Sequence, residues 1–390
     1  MIPFIFAFTV CGALNWGYAY ALAFLAIVVF RPLLQRQPIT LNFMLSSDFW
    51  LLAAFGASFI VLTGPEWEDI QNYLLLPLAA YAMGWCATEQ GREKPTALRD
   101  HILAIALGFG LYACLNFSVN LGNDRYQLID FWTGSFRTAT GSGFLNTMLF
   151  SIAVYSVFLE KRKAVRFLLL TATAVCLLYM FILGTRTQIV ILAATFSLGF
   201  FLLTLERNNV VWTLRCLAGM LCLSALVMVA YAADFMGLAQ FVEQSNLLAR
   251  FTQQESILQA DSQRLADFRA GMQALYDHPF GSSSAGYFHN IWLDVGRMAG
   301  IIPVVLLFCY HIRISAHGLW IFADRQTDQP TRYLTLLVYC GVLLNFLVEP
   351  VLEGIPNFFL AFCIINGLVD SYRFFRKTHV AIRQHKNWQA

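Results

Sequence analysis

Long apolar runs recur along the whole chain, and they decide what it can fold into. A run of about 20 residues forms a helix that crosses the hydrocarbon core of a bilayer and makes its backbone hydrogen bonds internally. An outer-membrane β-barrel would show short alternating segments instead. Hydrophobic residues make up 58% of the chain and charged residues 13%, which excludes a soluble enzyme and a disordered chain. The pattern predicts an all-α, polytopic membrane protein.

The runs predict about twelve transmembrane helices and one large loop outside the membrane. Residues 2–30 are too long for one span, so we divide them at Asn15-Trp16-Gly17 into a tight hairpin. The other predicted spans are residues 47–63, 70–88, 101–120, 143–159, 167–184, 188–205, 212–234, 290–312, 333–348 and 357–372. The chain therefore divides into helices 1–9 (residues 1–234), a loop (235–289), and helices 10–12 with a basic tail (290–390).

The distribution of Lys and Arg predicts the orientation of the chain, because cytoplasmic loops carry an excess of both. With both termini in the cytoplasm, the inner segments hold 19 of the 26 basic residues. One more, Arg297, lies inside a predicted span, and the outer segments hold six, all arginine: Arg125, Arg137, Arg186, Arg250, Arg264 and Arg269. The 235–289 loop therefore lies on the outer side.

Charge and cysteine placement exclude two further classes of function. The net charge is only +3, so a general affinity for nucleic acid is not indicated. All nine cysteines fall inside apolar segments, which excludes a disulfide framework and a Cys-x-x-Cys metal site. The sequence also has no HExxH motif and no Gly-rich phosphate loop, so we expect neither a resident metal nor another cofactor.

Arg186 lies in Gly184-Thr-Arg-Thr-Gln188, a turn so short that its guanidinium must sit at the outer membrane surface. A charge there needs a carboxylate, a phosphate or water, and the guanidinium fork suits phosphate oxygens. The alternative is an arginine that reaches the lipid headgroups and has no catalytic role.

Within the loop, residues 264–277 predict an amphipathic helix on the outer face of the membrane. Its apolar residues recur at helical spacing: Leu265, Phe268, Met272, Leu275 and Tyr276. Arg264 and Arg269 are five residues apart and so do not share a face. One could point into a cavity, or both could be solvated. His278-Pro279-Phe280-Gly281 ends the helix.

His289 and Asn290 follow at the outer start of the next predicted span. A neutral imidazole there can accept a proton from a hydroxyl, and the amide can orient a sugar. The alternative is a polar helix cap, a position that Asn favours. Arg297 lies two turns further on, where pairing with Asp294 is the simpler interpretation.

An outer acidic cluster leaves a metal-dependent reaction open. Glu66, Glu68 and Asp69 could hold a divalent cation near a phosphate, as outer acidic motifs do in some lipid-carrier glycosyltransferases. The simpler interpretation is that acidic residues collect on the side poor in Lys and Arg. Glu349 and Glu353, at another outer turn, allow the same two interpretations.

The order of these motifs resembles the O-antigen ligase and O-antigen polymerase superfamily of bacterial inner-membrane glycosyltransferases. The resemblance extends from Gly184 to Pro303 and rests on three pieces in order: Gly-Thr-Arg-Thr, RLADFRAGMQALYDHPFG and HNIWLDVGRMAGIIP. It implies metal-independent transfer of a glycan from undecaprenyl pyrophosphate to a sugar hydroxyl, on lipid A core or on a carrier-linked glycan.

The resemblance also implies a role for each candidate residue. Arg186 and Arg264 would hold the pyrophosphate and stabilise it as it leaves, and His289 would accept the proton of the attacking hydroxyl. Arg269, Asn290 and Arg137 are candidate substrate-binding residues. The segment between Gly281 and His289 is shorter than in many ligases, so ligase and polymerase both remain open.

A transporter or flippase is the third alternative. It would show internal repeats, matched broken helices and charges at mid-membrane, of which the sequence offers only Arg297.

Overall fold

The computed structural model describes residues 1–36, 41–64, 66–91, 94, 96–123, 126–252, 255–281, 286, 288–349 and 351–388. The side chains of residues 140, 250–264, 353 and 377–388 lie outside this description. Four residues named in the sequence analysis are affected. Arg125 lies outside the described residues, as do the side chains of Arg250, Arg264 and Glu353.

The described chain is almost entirely helical. The α-helices of its first part are α1 (Ile2–Leu14), α2 (Gly17–Phe24), α3 (Arg31–Leu34), α4 (Ser47–Thr63), α5 (Trp67–Asp69), α6 (Leu76–Gly91) and α7 (Ala97–Val119). A two-stranded antiparallel hairpin follows, formed by β1 (Leu128–Ile129) and β2 (Phe136–Arg137). Leu25–Phe30 and Ile70–Leu75 are π-helical, and Asn42–Leu45 is a 3-10 turn.

The later part of the chain is also helical. Its α-helices are α8 (Ala139–Ser151), α9 (Ala153–Phe158), α10 (Lys163–Leu183), α11 (Arg186–Arg207), α12 (Val210–Ala232), α13 (Leu238–Glu243), α14 (Asn246–Thr252), α15 (Glu255–Asp277), α16 (Ile291–Ala299), α17 (Ile301–Ala323), α18 (Gln329–Val348), α19 (Val351–Gly354) and α20 (Pro356–Trp388). Phe235–Gly237 is a second 3-10 turn.

Among the described residues, nine helices are long and apolar enough to cross a membrane. They are Gly17–Leu34, Ala97–Val119, Gly141–Phe158, Lys163–Leu183, Arg186–Arg207, Val210–Ala232, Ile301–Ala323, Gln329–Val348 and Pro356–Arg376. The apolar helices Ile2–Leu14 and Ser47–Thr63 are shorter. The prediction of an all-α, multi-pass membrane protein is therefore confirmed.

The predicted hairpin near the N-terminus is present. Asn15 ends α1 in the left-handed region, with φ of 49°, and α2 begins at Gly17. The Asn357 side chain donates a hydrogen bond of 2.7 Å to the Asn15 carbonyl, which ties this turn to the start of α20.

The chain forms two compact units, residues 1–112 with 263–390 (unit 1) and residues 113–262 (unit 2). In unit 1, the backbones of α6 and α20 are in close contact at two glycines, Gly84 and Gly367. A Cβ added to Gly367 would lie 2.0 Å from the Tyr81 carbonyl oxygen, and one added to Gly84 would lie 2.1 Å from that of Ile364. Small residues allow such close helix contact within a membrane.

Unit 2 contains α8–α14 and the β-hairpin. Thr195 of α11 donates a hydrogen bond to the Phe150 carbonyl of α8, and Asn246 of α14 donates one to the Ile182 carbonyl of α10. No residue of α12 is buried, so this helix presents apolar side chains on all sides, as a lipid-facing helix does.

Two predicted boundaries are wrong. The predicted span 290–312 is interrupted at Gly300, where φ is 80°, so that α16 is a separate nine-residue helix. His289, Asn290 and Arg297 therefore belong to α16 and its entry, and the candidate span begins at Ile301. The predicted inner segment 313–332 is also wrong at its start, because α17 continues to Ala323.

Candidate functional site

The backbone at His289 is held in an uncommon conformation. His289 has a φ of 55°, which non-glycine residues rarely adopt and which costs about 1–3 kcal/mol. The buried carboxylate of Asp294 accepts hydrogen bonds from the residues on either side, at 2.6 Å from the Phe288 nitrogen and 3.3 Å from the Asn290 nitrogen. These bonds bracket His289 and stabilise its strained backbone.

Asn290 caps α16 and connects it to α18. Its side-chain oxygen accepts hydrogen bonds of 3.1 Å from the backbone nitrogens of Trp292 and Leu293. Its amide nitrogen donates a bond of 3.2 Å to the Leu347 carbonyl. The sequence alternative of a helix cap at Asn290 is therefore confirmed, and the same side chain positions the end of α18.

Glu349 lies beside His289 as a result. The His289 Nδ1 atom is 4.0 Å from Glu349 Oε2, and both atoms are buried. The Glu349 side chain is 7% exposed, whereas that of His289 is 32% exposed. The separation is too long for a direct hydrogen bond, so the carboxylate acts on the ring by Coulomb attraction. A partly exposed imidazole with a buried carboxylate behind it suits proton transfer to or from a hydroxyl.

Helix α15 packs over the segment that precedes α16. The sequence prediction of a helix at residues 264–277 is confirmed, and the helix begins earlier, at Glu255. Gly271 is buried, and a Cβ there would lie 2.9 Å from Leu293 and 3.1 Å from Phe288. Leu275, one of the five apolar residues of the predicted helix, packs toward Gly296 and belongs to this face.

The two arginines of α15 lie on different faces, as predicted. Arg264 is seven residues before Gly271, so its backbone position falls on the face that packs against the His289 segment. Arg269 is exposed. It lies beside an exposed apolar stripe formed by Leu265, Phe268, Met272 and Tyr276.

Two glycines allow the Pro279-Phe280-Gly281 turn to pack closely against the junction of α16 and α17. Gly281 has a φ of 86°, and a Cβ there would lie 2.4 Å from the Met298 carbonyl oxygen. In the same way, a Cβ added to Gly300 would lie 2.2 Å from the Pro279 carbonyl oxygen. The nitrogen of Ile301 donates a hydrogen bond of 2.8 Å to that carbonyl. The turn after α15 is thus fixed to the junction of α16 and α17.

Arg186 belongs to unit 2 and begins α11. Gly184 ends α10 with φ of 63°, close to the backbone of Asn246, and Thr185 is the residue before the first turn of α11. A cation at a helix N-terminus is disfavoured by the helix dipole, so helix stability does not explain this arginine. The free backbone N–H groups and the half-buried guanidinium together suit an anion such as a phosphate.

Arg137 is paired with a carboxylate in unit 2. Its Nε lies 2.9 Å from Oδ2 of Asp130, which is 1% exposed. Oδ1 of Asp130 also accepts hydrogen bonds from the backbone nitrogens of Trp132 and Thr133. The pair therefore shapes the turn of the β-hairpin, and a role for Arg137 in substrate binding stays a prediction.

One residue of the acidic cluster Glu66, Glu68 and Asp69 lines an apolar cavity in unit 1. Glu66 and Glu68 are exposed, and burial followed by repulsion from these two raises the pKa of Asp69. Glu68 also lines a cavity of about 960 Å³, whose other walls come mainly from apolar residues of α2 and α6. Asn72 and Asn357 add polar groups to the lining.

Unit 1 thus contains His289, Asn290, Arg269 and the backbone of Arg264, and unit 2 contains Arg186 and Arg137. Sequence reasoning missed Glu349 as the partner of His289, because the two are 60 residues apart, one just before α16 and the other just after α18. It also paired Asp294 only with Arg297. Asp294 is the fourth residue of α16, and this position could have indicated a carboxylate that accepts hydrogen bonds from the backbone just before the helix. Neither a family model nor a curated protein matches this chain.

Proposed function

We propose that this chain is an O-antigen ligase-like glycan transferase of the bacterial inner membrane. It moves an oligosaccharide or polysaccharide from undecaprenyl pyrophosphate to a sugar hydroxyl of the lipid A core. The observation that carries the proposal is the His289–Glu349 pair on a backbone bracketed by Asp294. Such a pair suits the proton transfer that this reaction requires.

In the proposed reaction, His289 accepts the proton of the acceptor hydroxyl as its oxygen attacks the anomeric carbon. The bond from that carbon to the pyrophosphate oxygen breaks, and the electron pair leaves with the pyrophosphate. The imidazolium that forms is stabilised by the Glu349 carboxylate, 4.0 Å away. Asn290 and Asp294 act as positioning residues, because they hold the backbone around His289 and the end of α18.

The leaving pyrophosphate needs cationic partners, and we assign Arg186 and Arg264 to it. Arg186 adds a guanidinium to the free N–H groups at the start of α11. Arg264 is assigned from its position on the packed face of α15 and from the resemblance of its motif. Charge stabilisation by donors fixed in advance is commonly the largest catalytic contribution in group transfer.

The lipid-bearing substrates explain two apolar surfaces. The exposed stripe of α15 suits a helix that lies in the membrane interface beside lipid, with Arg269 near the headgroups. The cavity of unit 1 is large enough for part of a lipid tail. The proposal accordingly places twelve spans in the bilayer, both termini in the cytoplasm, and residues 235–289 in the periplasm.

Complementation of a deletion strain tests the proposal, with the glycan profile as readout. We expect His289→Ala, Arg186→Ala and Arg264→Ala each to abolish transfer while the protein still accumulates in the membrane. His278→Ala is the matched control, because His278 is exposed and lies only 11 residues from His289. Normal transfer by the three variants would refute the mechanism.

The same profile separates the alternatives. Loss of long chains from lipid A with accumulation of carrier-linked polymer identifies a ligase, whereas single repeat units on the core identify a polymerase. Loss of all periplasmic carrier-linked glycan would instead identify a flippase. Full activity of Glu66→Gln and Glu68→Gln would exclude the metal-dependent mechanism that these residues could support.

A further inference from the structure

A second polar cluster lies in unit 1, inside helices that are otherwise apolar. Asp48 in the first turn of α4, His317 in α17 and Asp370 in α20 are 0%, 5% and 3% exposed. One ligand atom from each lies within 4.8 Å of the others. His317 is 16 residues into α17, about 24 Å from the end that joins α16, so the cluster is separate from the His289 site.

The distances within the cluster fit the coordination sphere of a metal ion. His317 Nδ1 is 3.1 Å from Oδ2 of Asp48 and 3.5 Å from Oδ1 of Asp370. Donors bound at about 2.0–2.2 Å, with bond angles between octahedral and tetrahedral values, lie roughly 2.8–3.6 Å apart. His317 Nδ1 therefore lies at the spacing of neighbouring metal ligands from each of the two carboxylates.

Two of these donor atoms have no hydrogen bond although they are buried. Asp48 Oδ2 and His317 Nδ1 are each inaccessible to solvent, and although they lie 3.1 Å apart neither meets hydrogen-bond geometry with a described residue. A buried carboxylate oxygen and a buried ring nitrogen left in this state carry a large desolvation cost. Because the two atoms are neighbours, one ion bound to both would satisfy both.

The other oxygens of the two carboxylates are already engaged, which fixes their orientation. Arg313 Nε donates to Asp48 Oδ1 at 2.5 Å. Ser46 and Tyr81 donate to Asp370 Oδ2, and Arg373 donates to Asp370 Oδ1 at 3.1 Å. Metal-binding carboxylates are commonly held in this way by outer hydrogen bonds.

Two arginines lie beside the cluster and balance part of its charge. Arg313 and Arg373 contact Asp48 and Asp370, and their side chains are 44% and 25% exposed. Both guanidinium groups are therefore partly exposed, whereas the carboxylates are buried. The two arginines lie on the exposed side of the carboxylates, and a divalent ion would bind on their buried side.

We propose that Asp48, His317 and Asp370 bind one divalent first-row metal ion, of the Mn²⁺ to Zn²⁺ type. Two carboxylates and one imidazole form a mixed oxygen and nitrogen donor set that these ions accept. The ion would link α4, α17 and α20, three helices that are distant in sequence, and so stabilise unit 1. It takes no part in glycan transfer.

Metal binding by the full-length protein in detergent tests the site directly. After metal is removed with a chelator, Mn²⁺ or Zn²⁺ alone is added, and bound metal and Tm are measured. We expect about one ion per chain and a higher Tm for the unmodified protein. Asp48→Asn, His317→Gln and Asp370→Asn should each weaken binding at least about tenfold. Asp324→Asn is the matched control, a carboxylate just beyond α17 that pairs with Arg376 instead.

The outcomes are decisive without reference to glycan transfer. Binding of less than about 0.2 ion per unmodified chain overturns the proposal, as does equal binding by the three variants. A Tm that depends on pH and not on metal would show that the cluster holds only a proton. If one variant fails to fold, Co²⁺ added to the unmodified protein and to His317→Gln gives a visible spectrum that differs only when the imidazole is a ligand.

Discussion

The Glu349 carboxylate offers the sharpest test of the proposed base, because it acts on His289 through charge alone. Glu349→Gln keeps the shape of the side chain and removes its charge, 4.0 Å from Nδ1 of His289. Two unit charges at this distance attract by about 4 kcal/mol at an effective dielectric constant of 20 and by about 1 kcal/mol in water.

The expected loss of rate lies between these limits. Glu349 is buried but His289 is 32% exposed, so we take about 1.4–2.8 kcal/mol as the lost stabilisation of the imidazolium. Since each 1.4 kcal/mol changes the rate tenfold, Glu349→Gln should slow transfer about 10- to 100-fold.

The assay is transfer of a carrier-linked glycan to a lipid acceptor by purified protein in vesicles, under single-turnover conditions. Glu66→Gln is the control, because Glu66 is an exposed acidic residue on the same predicted side of the membrane. A rate for Glu349→Gln within twofold of the unmodified protein would refute the argument that the carboxylate supports His289 as the base.

Three further predictions concern binding, packing and charge. Arg186→Lys keeps a cation but loses the planar fork, so transfer should fall about tenfold or more, and a rate equal to that of the unmodified protein would argue against a phosphate contact. Gly367→Ala places a Cβ 2.0 Å from a backbone carbonyl oxygen of α6, so it should lower the free energy of unfolding by about 1–3 kcal/mol and lower the Tm. Gly219→Ala is the control, because a Cβ there has no neighbour within 4 Å and should leave the Tm unchanged. Burial raises the pKa of Glu160, but hydrogen bonds, chiefly from Arg162, outweigh it and lower the pKa to about 2, so Glu160→Gln should lower Tm at pH 7. Because a lowered pKa stabilises the fold only above the unfolded value, that difference in Tm should shrink as the pH falls from 4.5 toward 2.

Local patterns in the sequence predicted most of the helices. The turn at Asn15, the turn at Gly184 and the helix after Arg264 were all expected, because each depends on residues close together in the chain. The break at Gly300 was missed, although a glycine stands there, because the apolar run continues through it and hydropathy alone does not reveal a positive φ.

The partners of the functional side chains could not be predicted in the same way. Glu349 meets His289 only because the Asn290 amide binds the end of α18. Asp48 meets His317 across 269 residues, in a cluster that the sequence did not suggest at all. Both contacts depend on which helix faces pack together, and an apolar helix in a membrane has few sequence marks that distinguish its lipid-facing side from its packed side.

The sequence by itself determined the class of this protein, since bilayer thickness sets a length that each apolar run must meet independently of the others. It also determined the candidate arginines and the His-Asn pair, because charged and polar groups stand out against so apolar a background. Only the tertiary structure decided which carboxylate lies behind His289 and which residues gather around His317. Those contacts join distant segments, and the close helix crossings that create them are a property of the packed chain.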